Sequence, residues 1–295
     1  MQRMPAFSAE RWVAEGYVER TLRHKRRAEN FPVAMRLLPR QVRADLLAIY
    51  AVARTVDDLG DAAAGDRTAL LEAFAADLAR IWDGAEPAHP VVRGLVPTVR
   101  RHALAAAPFE HLIQANLQDQ RVTRYHDFRE LLGYCTRSAN PVGRLVLTVF
   151  GVRDPRLEEL SDRVCTALQL IEHWQDVAED YRAGRVYLPQ VDLTMFGVPE
   201  SDLGRPTASR GLRRLLTFEV NRAAVLLDSG RALVPRLRGW ARLTVAGYVA
   251  GGLATIDALR RPGADPLAAP VSGRRRDLLR HLIALLLPRR TWRTG

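Results

Sequence analysis

From Arg43 to Arg261 apolar residues recur at intervals of three and four, segment after segment, which is the pattern of helices buried along one face. Alternating strand patterns joined by hairpin turns are almost absent. The spacing predicts helices near Glu10–Arg27, Arg43–Ala63, Arg67–Trp82, Val91–Ala106 and Phe109–Gln120. It predicts others near Phe128–Phe150, Leu157–Arg182, Arg210–Val234 and Trp240–Arg261. Pro39 stands before the second of these, and Gly184 and Pro189 follow the seventh, where helices should start and stop. Pro141 lies inside an otherwise helical run and predicts a kink or break there. No internal repeat of fixed period is visible. The expected fold is all-α, with one helical domain over residues 1–261.

After Arg261 the character changes. Residues 262–273 (PGADPLAAPVSG) are rich in proline, glycine and alanine and read as a linker. Residues 274–295 form a basic C-terminal segment that opens with RRRDLLRHLIALLLPRR. Two readings stay open: a last helix packed on the body, or an interfacial helix on anionic lipid, since leucines flanked by arginines suit a headgroup boundary.

Charge and cysteine content narrow the classes of function. The net charge is +11, and Lys25 is the sole lysine among 44 basic residues. Such a chain suits nucleic acid, anionic lipid or a phosphorylated small molecule. No zinc-finger spacing, RNP-like segment or aromatic-interleaved basic strand accompanies the charge, so nucleic acid is not an expected partner. Cys135 and Cys165 are the only cysteines, too few for a disulfide framework or a cysteine-based zinc site. The N-terminal stretch Met1–Arg27 has no apolar core of a signal peptide, and no apolar run, Leu282–Leu287 included, is long enough to span a bilayer. A cytoplasmic protein is expected, with peripheral contact at the inner membrane face as a further reading.

The chemistry concentrates in two segments, Arg54-Thr-Val-Asp-Asp-Leu-Gly-Asp61 and Gln169-Leu-Ile-Glu-His-Trp-Gln-Asp-Val-Ala-Glu-Asp180. In each, two aspartates stand at i and i+4, Asp57 with Asp61 and Asp176 with Asp180, which puts the carboxylates on one helix face about 6 Å apart at Cβ. Like charges so placed weaken a helix unless a cation neutralises them. Aspartate oxygens are hard ligands suited to Mg²⁺, which is often completed by substrate phosphate. Two such helices facing each other would hold Mg²⁺ against a diphosphate, stabilising it as it leaves. An isolated Asp-x-x-x-Asp usually marks a solvated face. Here both pairs sit in apolar helical runs, the first beside Leu46, Leu47, Ile49, Val52 and Val56, the second after Val164, Ala167, Leu168 and Leu170. Gly60 also costs its helix about 1 kcal/mol relative to alanine, with no evident structural reason.

Three ordered blocks carry a resemblance. NFPVAMRLLPRQVRADLLAIYAVARTVDDLGD, YCTRSANPVGRLVL and CTALQLIEHWQDVAEDYRAGRVYLP resemble the three conserved blocks of squalene and phytoene synthases. The match covers about Arg20–Leu188 and extends more weakly to Arg261. The wording ENFPVA, SANPVGR and GRVYLP is most similar to the hopanoid-associated hydroxysqualene synthase branch. The resemblance implies an isoprenoid-synthase helical bundle with a central active-site cavity. It implies Mg²⁺ as cofactor, held by Asp57 and Asp61 from one side and by Asp176 and Asp180 from the other. Arg54 and Arg185 would contact phosphate, and Tyr134 and Gln169 would line the cavity near the reacting carbons. Tyr50 and Phe31 match pocket-wall positions, Asn140 is a candidate for placing a water, and Asp58 faces away as a secondary residue.

One departure stands out. Where the family usually has asparagine, four residues before Asp176, this chain has Glu172. It either adds a catalytic-site ligand or repels the substrate's phosphates. The expected substrates are presqualene or farnesyl diphosphate, with hydroxysqualene as product. A presqualene diphosphate or phytoene synthase, and a non-catalytic relative acting as a scaffold, stay open as alternatives.

Overall fold

A computed structural model describes residues 38–287. Among them lie twelve α-helices, two short 3₁₀ segments and a single isolated parallel bridge, Arg124 with Val186. The chain groups into two units, residues 1–120 and 121–295, a boundary inside the stretch expected as one domain. The candidate helix Glu10–Arg27 and Phe31 lie outside the described residues.

The first unit holds α1 (Arg40–Asp61), α2 (Arg67–Ala79), α3 (Pro90–His102) and α4 (Ala107–Asp119). Helix α1 is its centre and contacts the other three. Its buried side chains Leu46, Ile49, Val52, Val56 and Leu59 follow the three-and-four spacing read from the sequence. Asp45 is also buried on this face, and it accepts hydrogen bonds from Thr98 and Arg101 of α3 and lies 2.9 Å from His102 Nε2. Burial alone would raise its pKa, but the bonds from His102, Thr98 and Gln41 hold its carboxyl below the ordinary value.

The second unit holds α5 (Phe128–Ser138), α6 (Asn140–Val149), α7 (Pro155–Gln175), α8 (Val177–Arg182) and α9 (Gln190–Met195). It continues with α10 (Arg210–Gly230), α11 (Gly239–Leu259) and α12 (Arg275–Leu286). Helix α7 runs through the middle, against α6, α10 and α11. Asp127, Asp154 and Ser209 each accept a backbone N–H at a helix start, the side-chain cap expected of short oxygen-bearing residues.

Two expected helices are each two. The run Phe128–Phe150 breaks at Ala139, because Pro141 fits only the first turn of a new helix. The run Leu157–Arg182 breaks at Asp176, whose φ of −100° and ψ of 14° leave the helical region. Gly184, at φ +85°, then ends α8, a conformation that a side chain would strain. The following segment lies beside residues 123–126, with Val186 N–H donating to the Thr123 carbonyl and Gln190 N–H to that of Tyr125.

Residues 262–273 are tied to the second unit. Asp265 is buried and accepts from Ala208 N–H and Arg213, and Gln175 donates to the Val271 carbonyl. A second buried network joins α9 to α10. Arg222 bonds Asp192 at 2.6 Å and Glu219 at 3.1 Å while lying over the rings of Phe218 and Phe128.

Glu219 is wholly buried, and burial with the Asp192 hydrogen bond pushes it up to about 8. The native state therefore holds a proton there that the unfolded chain releases near 4.5, so this stability is lost as pH rises toward 8. Glu219→Gln mimics the neutral acid. Urea unfolding from pH 6 to pH 9 should show a smaller loss of stability for the variant than for the wild type.

Candidate functional site

The first carboxylate cluster forms on the last two turns of α1. Asp57 is half-buried, and loss of solvent there, partly offset by a 3.3 Å hydrogen bond from Asn116 and by Arg54, pushes its carboxyl up to about 7. Asp61 and Asp58 add to the rise through their charge. Arg54 reaches Asp58 at 2.5 Å, so Asp58, expected to face away, is the carboxylate that orients the arginine. Tyr50 stands on the same helix one turn before Arg54, half-buried.

Gly60 has a structural reason that the sequence did not reveal. A Cβ at this position would lie 2.3 Å from Asn116 Oδ1, and Gln120 of the same unit donates to the Gly60 carbonyl at 3.0 Å. The glycine lets α4 approach closely enough for Asn116 to touch Asp57. Asn116 and Gln120 were missed, although two carboxamides at i and i+4 beside buried Leu112, Ile113 and Ala115 are a visible signal.

The second cluster forms where α7 passes into α8. The break at Asp176 does not disturb the i, i+4 register. Asp176 N–H donates to the Glu172 carbonyl at 2.9 Å, and Asp180 N–H to that of Asp176 at 2.8 Å. Glu172 and Asp176 are exposed, and Asp180 is half-buried. The side of Asp176 turned to the protein is desolvated, which together with Asp180 and Glu179 pushes its carboxyl up to about 6. Asp180 Oδ2 is buried and makes no hydrogen bond; His173 Nδ1 stands 3.7 Å away. Arg185 follows directly, its N–H donating to the Asp180 carbonyl at 2.8 Å.

His173 is the residue that sequence reasoning missed here, although it lies inside the motif. It is buried, its Nε2 is 3.2 Å from Gln169 Nε2, and its ring stacks on Tyr187 with centroids 3.7 Å apart. Tyr134 belongs to the same aromatic group, 5.6 Å from Tyr187 and 5.5 Å from Tyr125. Gln169, His173 and Asp180 are thus linked, with Tyr134 against them. Asn140 is buried at the start of α6 and accepts from Thr166 of α7 at 2.9 Å. Burial pushes the thiols of Cys135 and Cys165 up to about 12, which makes both poor nucleophiles.

Among the described residues, no three His, Cys, Asp or Glu side chains converge closely enough to hold a metal ion by themselves. The donor chemistry nevertheless fits a hard cation. Each cluster offers aspartate oxygens with raised proton affinity, and Asp180 offers a buried oxygen with no hydrogen bond. A site completed partly by ligand oxygens needs fewer protein donors in one place.

The squalene/phytoene synthase family matches residues 24–281. A phytoene synthase of Mycobacterium tuberculosis is 35% identical over 215 residues, 71% of this chain and 70% of that protein. A hydroxysqualene synthase of Rhodopseudomonas palustris is 35% identical over 223 residues, 72% of this chain and 73% of that one. Among solved structures, squalene synthase HpnC from Alicyclobacillus acidocaldarius superposes with a TM-score of 0.75 at 40% identity. It covers 83% of this chain and 94% of its own. A dehydrosqualene synthase at 23% identity shares the fold, with a TM-score of 0.80.

The raised pKa of Asp57 makes a prediction for protein kept in EDTA. The native carboxyl holds its proton up to about 7, against 3.8 in the unfolded chain, so its contribution to stability is lost as pH rises between those values. Asp57→Asn should exceed the wild-type melting temperature at pH 8, and by more than it does at pH 5. A variant that melts lower at pH 8 would contradict the desolvated-carboxylate account.

Proposed function

The chain belongs to the squalene/phytoene synthase family, and from that premise we propose that it is a Mg²⁺-dependent enzyme converting presqualene diphosphate to hydroxysqualene. The observation that carries the metal-dependent reading is that each i, i+4 pair of aspartates contains one desolvated carboxylate, Asp57 pushed up to about 7 and Asp176 to about 6. Such groups bind protons when alone and release them to a divalent cation. Asp57 with Asp61, and Asp176 with Asp180, would supply the oxygens that hold the metal. When bound, Mg²⁺ supplies positive charge against the departing diphosphate.

The protein's own residues do the rest. Arg54, oriented by Asp58, and Arg185, anchored through the Asp180 carbonyl, would bind diphosphate oxygens. As the C–O bond breaks, diphosphate leaves with the electron pair and a cyclopropylcarbinyl cation remains. Tyr50, Phe31 and Tyr134 would wall the hydrocarbon and keep stray water out until the cation has rearranged. Water then adds its oxygen to the cation and loses a proton. Gln169, held beside His173, and Asn140, held by Thr166, are the amides available to place that water. Glu172, exposed on the face that carries Asp176, would adjust metal demand rather than abolish turnover. Long hydrocarbon substrates and products also favour work close to a lipid surface, in keeping with a peripheral protein at the inner membrane face.

A second reading is favoured by one finding, the 35% identity to a phytoene synthase over 71% of the chain. That reaction joins two C20 diphosphates head to head. Presenting purified protein with presqualene, farnesyl or geranylgeranyl diphosphate, Mg²⁺ and ¹⁸O-labelled water, without NADPH, separates the readings by mass spectrometry of the products. Labelled hydroxysqualene from presqualene diphosphate is the expected outcome. Presqualene diphosphate left as end product from farnesyl diphosphate, phytoene from the C20 substrate, or no turnover would each overturn it.

A further inference from the structure

Seven large apolar side chains are exposed among the described residues, and three of them fall at every fourth position along α12 and the residue after it. Leu279 is 55% exposed, Ile283 49% and Leu287 61%. At the helical repeat they occupy an arc of about 80°. No residue of α12 is buried, so the helix rests on α11 while its outer face stays uncovered.

The orientation of that face is fixed by polar contacts on the other side. Asp277 pairs with Arg261, His281 Nε2 lies 2.7 Å from Asp257 Oδ2, and Arg242 donates to the Leu286 carbonyl at 2.9 Å. The stripe is therefore presented outward by a docked helix. Arg276 projects within the same arc, with Arg275 and Arg280 at its edges; Arg280 also reaches Asp257 at 2.7 Å. The sequence goes on through Arg289, Arg290, Trp292 and Arg293.

We propose that this face of α12 is a docking surface for an anionic lipid bilayer, on which the helix lies in the headgroup plane. Apolar side chains on a fixed face enter the acyl boundary, and arginines along the same face meet lipid phosphates while their stems cover hydrocarbon. No helix among the described residues is long and apolar enough to cross a membrane, so the contact is one of lying on the surface. The charge pattern selects this occupant over a second copy of the chain, whose matching face would bring arginines against arginines. The surface stands independently of the reaction proposed above.

The full chain is tested by flotation with vesicles of phosphatidylcholine alone and of phosphatidylcholine with phosphatidylglycerol, without substrate. Binding to the mixed vesicles that weakens with salt, and little binding to the neutral ones, is expected. The double variant Leu279→Gln, Ile283→Gln should partition at least about tenfold less. The double variant Arg275→Gln, Arg276→Gln should lose the preference for anionic lipid. All four positions are exposed, so unchanged circular-dichroism melts check that the fold is kept. Undiminished flotation of the leucine–isoleucine variant, equal binding to neutral vesicles, or no binding at all would overturn the proposal. So would light scattering that shows a wild-type dimer which that variant converts to monomer, since the stripe would then be covered by a second copy.

Discussion

A carboxylate taken out of water and set near another carboxylate is costly, and both clusters of this protein are built on that cost. Asp57 is drawn into partial burial on α1 with two further aspartates acting on it, and Asp180 turns an oxygen into the protein where nothing donates to it. Neighbouring groups relieve only part of the penalty. Asn116 gives Asp57 a long hydrogen bond, and His173 stops 3.7 Å short of Asp180. The surrounding helices are arranged to keep the carboxylates in place despite their repulsion. Gly60 lets α4 come close enough to brace Asp57, and the continued i, i+4 hydrogen bonding across Asp176 keeps Asp180 in register through the break.

The same logic runs differently in the networks that only hold the fold. Asp45 and Asp192 are each only 2% exposed, yet each meets arginine in a short ion pair. Glu219 meets the penalty in another way, by keeping its proton. Buried acids outside the candidate site thus end up paired or neutral. The clusters at Asp57 and Asp180 do neither completely, which is what the proposed cation site would require of them.

Much of this was legible in the sequence for identifiable reasons. Helical periodicity places Leu46, Ile49, Val52 and Val56 on one face of α1 before any coordinates are known, and the Asp57/Asp61 and Asp176/Asp180 spacings stand out against it. Proline chemistry at Pro141 foretells the break between α5 and α6. What was not legible depends on contacts between segments far apart in the chain. Nothing local shows that Asn116 will fill the space beside Gly60, that Thr166 will hold Asn140, or that Asp265 will anchor a segment whose composition suggests a linker. The break at Asp176 is not legible because the residues around it favour a continuous helix, and the place of His173 because it depends on the ring of Tyr187, which lies beyond the helix end.

The central claim is that the two aspartate pairs serve the cation-dependent binding of a diphosphate. Its most direct test is the shift in melting temperature produced by Mg²⁺ with inorganic pyrophosphate, measured for the wild type, Asp61→Asn, Asp180→Asn and the double variant. The account predicts that either single substitution abolishes most of the shift, because both pairs take part in binding the cation with its diphosphate. A shift left unchanged in the single variants would contradict the account.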